Sequence, residues 1–252
     1  MTMLHHEVTG PEDAPTLLLG ESLGTNLAMW DRQLPLASQF RLVRFDHRGH
    51  GGSTVPPGPY EIADLGADVI ELLDALEIER SSYCGISLGG MVGMWLAANA
   101  HERIDRLVLL CTSAHMPPAS MWRDRAEAVR GAGSVEAVAD ATLERWLRPE
   151  FADHHPDVRA WLRSMLVETS PDGYASCCGA IERMDLRADL GRIAAPTLVV
   201  SGSDDPSTPI EHQRLIADSI PGAKRETVGP AAHLAAVEQP DAVNELIAGH
   251  LR

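Results

Sequence analysis

Three side chains in this chain could together cleave an ester: a serine, an imidazole and a carboxylate, each placed just after a strand-like run. Ser87 is the centre of Gly85-Ile86-Ser87-Leu88-Gly89-Gly90, directly after the apolar run Ser82–Ile86 and directly before a helical stretch, Leu88–Ala98. A strand that turns sharply into a helix strains the corner residue, lifts its side chain above the sheet and tolerates only tiny neighbours two positions either side. Gly85 and Gly89 meet that demand. The helix start brings the positive end of its dipole near the Ser87 hydroxyl. It also leaves the Leu88 N–H free to face a developing oxyanion. The bland alternative is a glycine-rich helix start, and the strand–turn–helix context favours the nucleophile.

A neutral hydroxyl is a poor nucleophile, so Ser87 needs a base and a group that orients the base. After the apolar run Thr197–Ser201 comes Gly202-Ser203-Asp204-Asp205-Pro206, and after Ala223–Val228 comes Gly229-Pro230-Ala231-Ala232-His233. Asp205 and His233 lie 28 residues apart, room for one helix and one strand, and His233 is the only histidine between Pro221 and Gly249. The loop after Arg106–Cys111 reads Thr112-Ser113-Ala114 and offers no carboxylate. Asp204 competes with Asp205. Asp205 is favoured because Pro206 restrains its backbone, which leaves Asp204 as a solvated loop or capping residue.

A second oxyanion donor is expected from the loop after Thr16–Gly20, which reads Glu21-Ser22-Leu23-Gly24. The Leu23 N–H is the candidate, with Ser22 beside it as a substrate contact; such a donor is worth about 3 kcal/mol in the transition state. Glu21 is awkward there. Its carboxylate would oppose an oxyanion unless it points away, and it could instead accept backbone N–H groups and hold the loop; the sequence leaves both open.

The elements that must carry these residues form a strand–helix alternation. Five short runs (Thr16–Gly20, Arg41–Asp46, Ser82–Ile86, Arg106–Cys111, Thr197–Ser201) mostly lack strict polar alternation, as parallel strands covered on both faces do. Helices are expected over Asn26–Gln39 (broken near Pro35), Ile62–Leu76, Leu88–Ala98, Ile210–Ile220 and Asp241–His250. Leu65, Val69, Leu72, Leu73 and Leu76 form an amphipathic stripe, and Pro240 suits a first-turn position. Leu4–Thr9 is a weak N-terminal strand at best. The expected fold class is α/β, a mostly parallel sheet flanked by helices, with right-handed crossovers.

That rhythm stops between residues 115 and 193, where helical patterns around Met121–Arg130, Val135–Leu147, Asp157–Glu168 and Tyr174–Met184 replace strands. We therefore expect a sheet core from residues 1–114 and 194–252 and a helical lid from 115–193 over the carboxyl edge of the sheet. The plain alternative is an extra helical layer.

Composition narrows the function classes. The chain has 252 residues, 44% of them apolar and 23% charged, which suits a globular core. Its net charge of −15 repels nucleic acid and anionic membrane surfaces. The uncharged stretch Ser81–Ala100 is long enough to cross a bilayer, but its four glycines and three serines suit a strand, turn and packed helix better. No leader is visible in Met1–Gly10, and the adjacent pair Cys177-Cys178, with Cys84 and Cys111, forms no disulfide or CxxC pattern. A cytoplasmic, soluble protein is expected; a homo-oligomer is left open. His47-Arg48-Gly49-His50 has an HxxH spacing without a third ligand, His154-His155 reads as exposed, Cys84 and Cys111 read as core, and no phosphate loop or dinucleotide fingerprint is present. No metal or cofactor is expected.

Ser87, Asp205 and His233 with this spacing resemble an α/β-hydrolase. Wider strings are similar to the 3-oxoadipate enol-lactonases: Ser22-Leu23-Gly24-Thr25 with Met29-Trp30, Phe45-Asp46-His47-Arg48-Gly49-His50-Gly51, Gly85 to Gly90, and Leu143-Glu144-Arg145-Trp146. Tyr174 with Cys177-Cys178, Asp185-Leu186-Arg187, Ser201 to Asp205 and Ala232-His233-Leu234 extend the resemblance over nearly the whole chain. Glu21 and Leu147 depart from it, since an uncharged residue and an aromatic are expected there. The resemblance implies a cofactor-free lactonase that opens a small enol-lactone through an acyl-serine, in the catabolism of protocatechuate or catechol. The substrate carries a carboxylate, for which Arg145 is a candidate anchor against the alternative of a solvated helix-face arginine. Trp146 is a candidate pocket wall or a buried lid-core aromatic. A broader carboxylesterase or perhydrolase-like enzyme and a non-turnover ligand receptor are the competing readings; dehalogenases and epoxide hydrolases would need aspartate at position 87.

Overall fold

A computed structural model describes residues 4–252; residues 1–3, the start of the expected core segment and of the Met1–Gly10 stretch, lie outside the described residues. Seven strands form one sheet in the order β1-β3-β2-β4-β5-β6-β7. They are β1 (His6–Thr9), β2 (Thr16–Gly20), β3 (Arg41–Phe45), β4 (Ser81–Ile86), β5 (Ile104–Leu110), β6 (Thr197–Gly202) and β7 (Lys224–Val228). Among the described strands, β1 alone runs antiparallel, against β3. The others are parallel, so their carboxyl ends share one edge.

The pattern that marks these strands as covered on both faces is matched by burial. β4 and β6 are buried throughout, and Leu17, Leu18 and Leu19 of β2 have no exposed surface. The covering helices are α1 (Ile62–Ala75) and α2 (Leu88–Asn99) in the first half and, after β6, α8 (Ile210–Ser219), α9 (Ala235–Glu238) and α10 (Pro240–Leu251). Leu65, Val69, Leu72 and Leu73 of the α1 stripe are buried, and Leu76 packs partly buried at its end. Pro240 occupies the first turn of α10, where its missing N–H costs nothing.

Between β5 and β6 the chain makes five helices: α3 (Ala119–Ala132), α4 (Ala139–Trp146), α5 (Pro149–His154), α6 (Pro156–Glu168) and α7 (Pro171–Arg183). The neck of this insertion is closed by a bridge between His115 and Asp185 and by the Leu186 N–H donating to Ala114 O at 2.8 Å.

The structure corrects several expected boundaries. Asn26–Gln39 is not a helix broken at Pro35 but a 3-10 helix over Leu27–Ser38 with Pro35 inside it, started by Asn26, whose side chain accepts the Ala28 N–H at 3.0 Å. The expected helix Val135–Leu147 divides into a 3-10 turn (Val135–Val138) and α4, and α5 and α9 are additional short helices. The strand expected over Arg106–Cys111 ends at Leu110, because Cys111 turns into the left-handed region (φ 41°). Among the described residues, no helix is long and apolar enough to cross a membrane.

Candidate active site

Ser87 sits at the corner between β4 and α2 with φ 53° and ψ −114°, a backbone conformation that a non-glycine residue holds only under constraint. The constraint is visible around it. Its N–H donates to Leu110 O at 3.0 Å, and its carbonyl accepts the Thr112 hydroxyl at 2.7 Å. The glycines permit the close approach. A Cβ on Gly85 would run into the Gly89 carbonyl, and one on Gly89 into the Gly20 carbonyl.

His233 meets Ser87 from the loop after β7, with Nε2 2.9 Å from Ser87 Oγ. On its other side Nδ1 lies 2.9 Å from Asp205 Oδ2. For the Ser87 hydroxyl to donate to Nε2, the ring proton must sit on Nδ1 and point at Asp205, the tautomer a general base requires. Asp205 is almost fully enclosed. Its Oδ1 accepts the N–H groups of Ser207 (2.8 Å) and Thr208 (3.1 Å), and Oδ2 also accepts the Thr208 hydroxyl at 2.7 Å. Burial alone would raise this carboxyl, but the His233 charge and hydrogen bond, with those from Thr208, outweigh it and bring it down to about 2. Asp204 is exposed and accepts the Ser203 hydroxyl, away from His233. These three groups have the geometry of a hydrolytic triad, and they stand within hydrogen-bonding reach before any substrate binds.

The loop after β2 lies beside this corner because β2 and β4 are neighbours in the sheet, with Gly20 opposite Gly85. Thr25 folds the loop back by donating its N–H (3.1 Å) and hydroxyl (2.9 Å) to Ser22 O, and the Gly24 N–H donates to His50 Nε2 at 2.9 Å. Among the described residues no protein acceptor takes the N–H of Leu23 or of Leu88, and Ser22 and Leu23 line the cavity over Ser87. Glu21 points away from that cavity. It is fully buried, and its Oε1 accepts the His47 N–H at 2.6 Å, which decides between the two readings its position allowed.

The cavity over Ser87 and His233 is walled by the inserted helices. Trp146 and Arg145 of α4 line it, together with Arg125 and Trp122 of α3 and the sulfur-bearing Met91 and Met116. Trp146 is buried as well as wall-forming, so its two readings coincide. Arg145 is not a fully solvated helix-face residue: it is half-buried, and its Nη2 is sealed from solvent without a hydrogen-bond partner among the described residues. Arg125 donates to the Tyr174 hydroxyl at 3.1 Å and lies over the Trp122 ring. No aspartate or glutamate among the described residues lines this cavity. The guanidinium groups therefore set its charge.

Sequence reasoning overlooked Arg125, Thr208 and Glu238. Thr208 was legible in principle, since a threonine three residues after an aspartate can cap it. Glu238 carried no local signal. Its buried carboxylate accepts the Arg148 N–H (2.6 Å), Arg148 Nε (3.1 Å) and the Ala232 N–H (3.1 Å), while the Leu234 N–H donates to Trp146 O at 3.0 Å. The His233 loop and the end of α4 are thus fastened together. The His50 ring accepts the Gly24 N–H and the His47 backbone N–H donates to Glu21, so this stretch serves the loop, and among the described residues no cluster suited to a metal ion occurs. His154 and His155 are exposed, and burial pushes the thiols of Cys84, Cys111, Cys177 and Cys178 up, away from nucleophilic thiolate character.

Fold and site together define a class, and comparison with known proteins agrees. The chain belongs to the α/β-hydrolase fold family, which matches residues 15–165, with a TAP-like protein match over 175–252. It is 38% identical to the 3-oxoadipate enol-lactonase 2 of Acinetobacter baylyi, over 97% of this chain and 91% of that protein. The crystal structure of the enol-lactonase from Burkholderia xenovorans LB400 superposes with a TM-score of 0.97 at 39% identity, covering 99% of this chain and 96% of that one. A broader relative, named "Putative carbamate hydrolase RutD" in Agrobacterium fabrum, is 31% identical over 96% of this chain and 95% of its own length. This chain is a hydrolase of the lactonase type.

Proposed function

We propose that this enzyme hydrolyses 3-oxoadipate enol-lactone to 3-oxoadipate, as in the β-ketoadipate route of aromatic catabolism, with residues 115–193 acting as the substrate-selecting lid. The observation that carries the reading is the cavity itself. In a chain of net charge −15, Arg125 and Arg145 face the same small space as Ser87, with no carboxylate lining it. An anionic lactone suits that space better than a neutral ester does, because a sealed and unpaired guanidinium group is stabilised by a carboxylate it can bind. The names of the enol-lactonase relatives support the same substrate.

The geometry supports the following mechanism. Ser87 Oγ attacks the lactone carbonyl while His233 Nε2 takes its proton, and Asp205 stabilises the imidazolium formed. The N–H groups of Leu23 and Leu88 receive the oxyanion. Collapse of the tetrahedral intermediate breaks the ring C–O bond, and the departing enol oxygen takes the proton back from His233 and tautomerises to a ketone. A water deprotonated by His233 then attacks the acyl-serine, Ser87 Oγ departs taking that proton from His233, and the product leaves with its second carboxylate. Arg145 holds the substrate carboxylate, with Arg125 as the second cation; Ser22 and Trp146 bound the ring.

The test is the loss of enol-lactone ultraviolet absorbance on adding enzyme, compared with release of p-nitrophenol from p-nitrophenyl acetate. The reading expects a higher kcat/KM on the lactone. Turnover of the neutral ester far above the lactone would replace it with a general carboxylesterase, and ligand-induced stabilisation without multiple turnover would replace it with a receptor.

A further inference from the structure

We propose that Glu21 is a positioning residue for the oxyanion loop, working as a protonated carboxyl rather than as a carboxylate. The claim rests on the hydrolase reading of Leu23, but not on which ester is cleaved.

The loop 21–24 is gripped at both ends by one turn of the chain after β3. At the near end, Glu21 Oε1 accepts the His47 N–H at 2.6 Å. The turn then closes on itself, with the His50 N–H donating to His47 O at 3.0 Å. At the far end, His50 Nε2 accepts the Gly24 N–H at 2.9 Å, and its Nδ1 is left to donate to Arg48 O at 3.2 Å. Leu23 lies between the two grips. The Glu21 backbone is itself tied to the nucleophile helix, its carbonyl accepting the Gly89 N–H at 3.0 Å. Release of the Glu21 side chain would therefore free the 47–50 turn and, through it, Gly24 and the Leu23 N–H.

Full burial and two lone atoms point to the protonated form. Among the described residues, Glu21 Oε2 and His47 Nε2 are both sealed from solvent without a hydrogen-bond partner, and they face each other at 3.9 Å. With the His47 ring proton on Nδ1, Nε2 is an acceptor that a protonated Glu21 carboxyl meets after a small side-chain shift. The charged alternative, carboxylate with imidazolium, requires two desolvated ions. Burial and then the Asp46 charge hold the Glu21 carboxyl well above its usual range, and burial and His50 bring His47 down to about 3. The other titratable groups facing Glu21 are Tyr83 on β4 and Cys177 on α7, both raised by burial and thus neutral as well.

The experiment compares wild type, Glu21→Gln and Glu21→Ala on p-nitrophenyl acetate, with Ser87→Ala as the control for the site. Glutamine keeps the acceptor for the His47 N–H and offers its own N–H toward His47 Nε2. The proposal expects kcat in Glu21→Ala to fall about 10- to 100-fold with little change in KM, and expects Glu21→Gln to restore most of it. It also expects an infrared carbonyl band of a protonated carboxyl in wild type at neutral pH that is missing in Glu21→Gln, a readout that survives if the alanine variant does not fold. Absence of that band, a glutamine variant as impaired as alanine, or an alanine variant of unchanged kcat each overturns the proposal. If Ser87→Ala keeps full activity, the site reading fails and takes this proposal with it; dependence on Ser87 without dependence on Glu21 removes this proposal alone.

Discussion

The carboxyl edge of the sheet and the helical insertion above it hold their functional side chains by different means. At the edge, Ser87, Asp205 and His233 are fixed by backbone strain, glycine contacts and short hydrogen bonds, all satisfied within the protein. In the insertion, among the described residues, the Arg145 Nη2 has no hydrogen-bond partner, and Arg125 meets the Tyr174 hydroxyl and the Trp122 ring. On the proposed function, the groups that react are held ready within the protein, whereas the groups that recognise are left for substrate to complete. Changes at the edge should therefore strike kcat, and changes in the insertion should strike KM.

The largest effect is expected from Ser87→Ala, which should lower kcat by about 10³-fold or more while leaving the melting temperature little changed. Asp205→Asn should cost about 10²- to 10⁴-fold in kcat, because the amide no longer holds the His233 tautomer. A smaller, mixed effect is expected where the two regions are joined. Glu238→Ala leaves the N–H groups of Arg148 and Ala232 without their acceptor, so the domain should lose about 1–3 kcal/mol in a urea titration. The same variant should lower kcat and raise KM together; a pure KM change would mean that the His233 loop and α4 are not mechanically joined.

The smallest effects concern stability against pH. The Asp205 carboxyl is depressed from 3.8 to about 2 in the folded chain, so its contribution is present above pH 3.8 and is lost as pH falls toward 2. That acid-side slope should be missing from Asp205→Asn. Glu21 has the opposite sign. Unfolded, it releases its proton near 4.5 while the folded chain keeps it, so wild-type stability declines as pH rises above 4.5 until the buried group ionises. Glu21→Gln should lack that decline in a series of melting curves.

The same contrast explains what could be read in the sequence. Ser87, Asp205 and His233 each follow a parallel strand at a turn rich in glycine or proline, so local chemistry and sheet topology point to the same residues. Arg125 and Glu238 were invisible because their roles depend on the packing of helices distant in sequence; Glu238 meets Arg148 across 90 residues. The division of Val135–Leu147 and the 3-10 winding of Leu27–Ser38, expected as a helix broken near Pro35, were missed for a related reason, since tertiary contacts override local helical patterns. Glu21 was legible as an anomaly, but its direction was set by His47, on another strand's loop.

The division of labour can be tested directly by measuring kcat/KM for wild type and Arg145→Ala on 3-oxoadipate enol-lactone and on a neutral lactone of the same ring size. The account predicts a loss of about tenfold or more on the anionic lactone, carried by KM, with the neutral lactone nearly unaffected. An equal loss on both, or a loss carried by kcat, would contradict it.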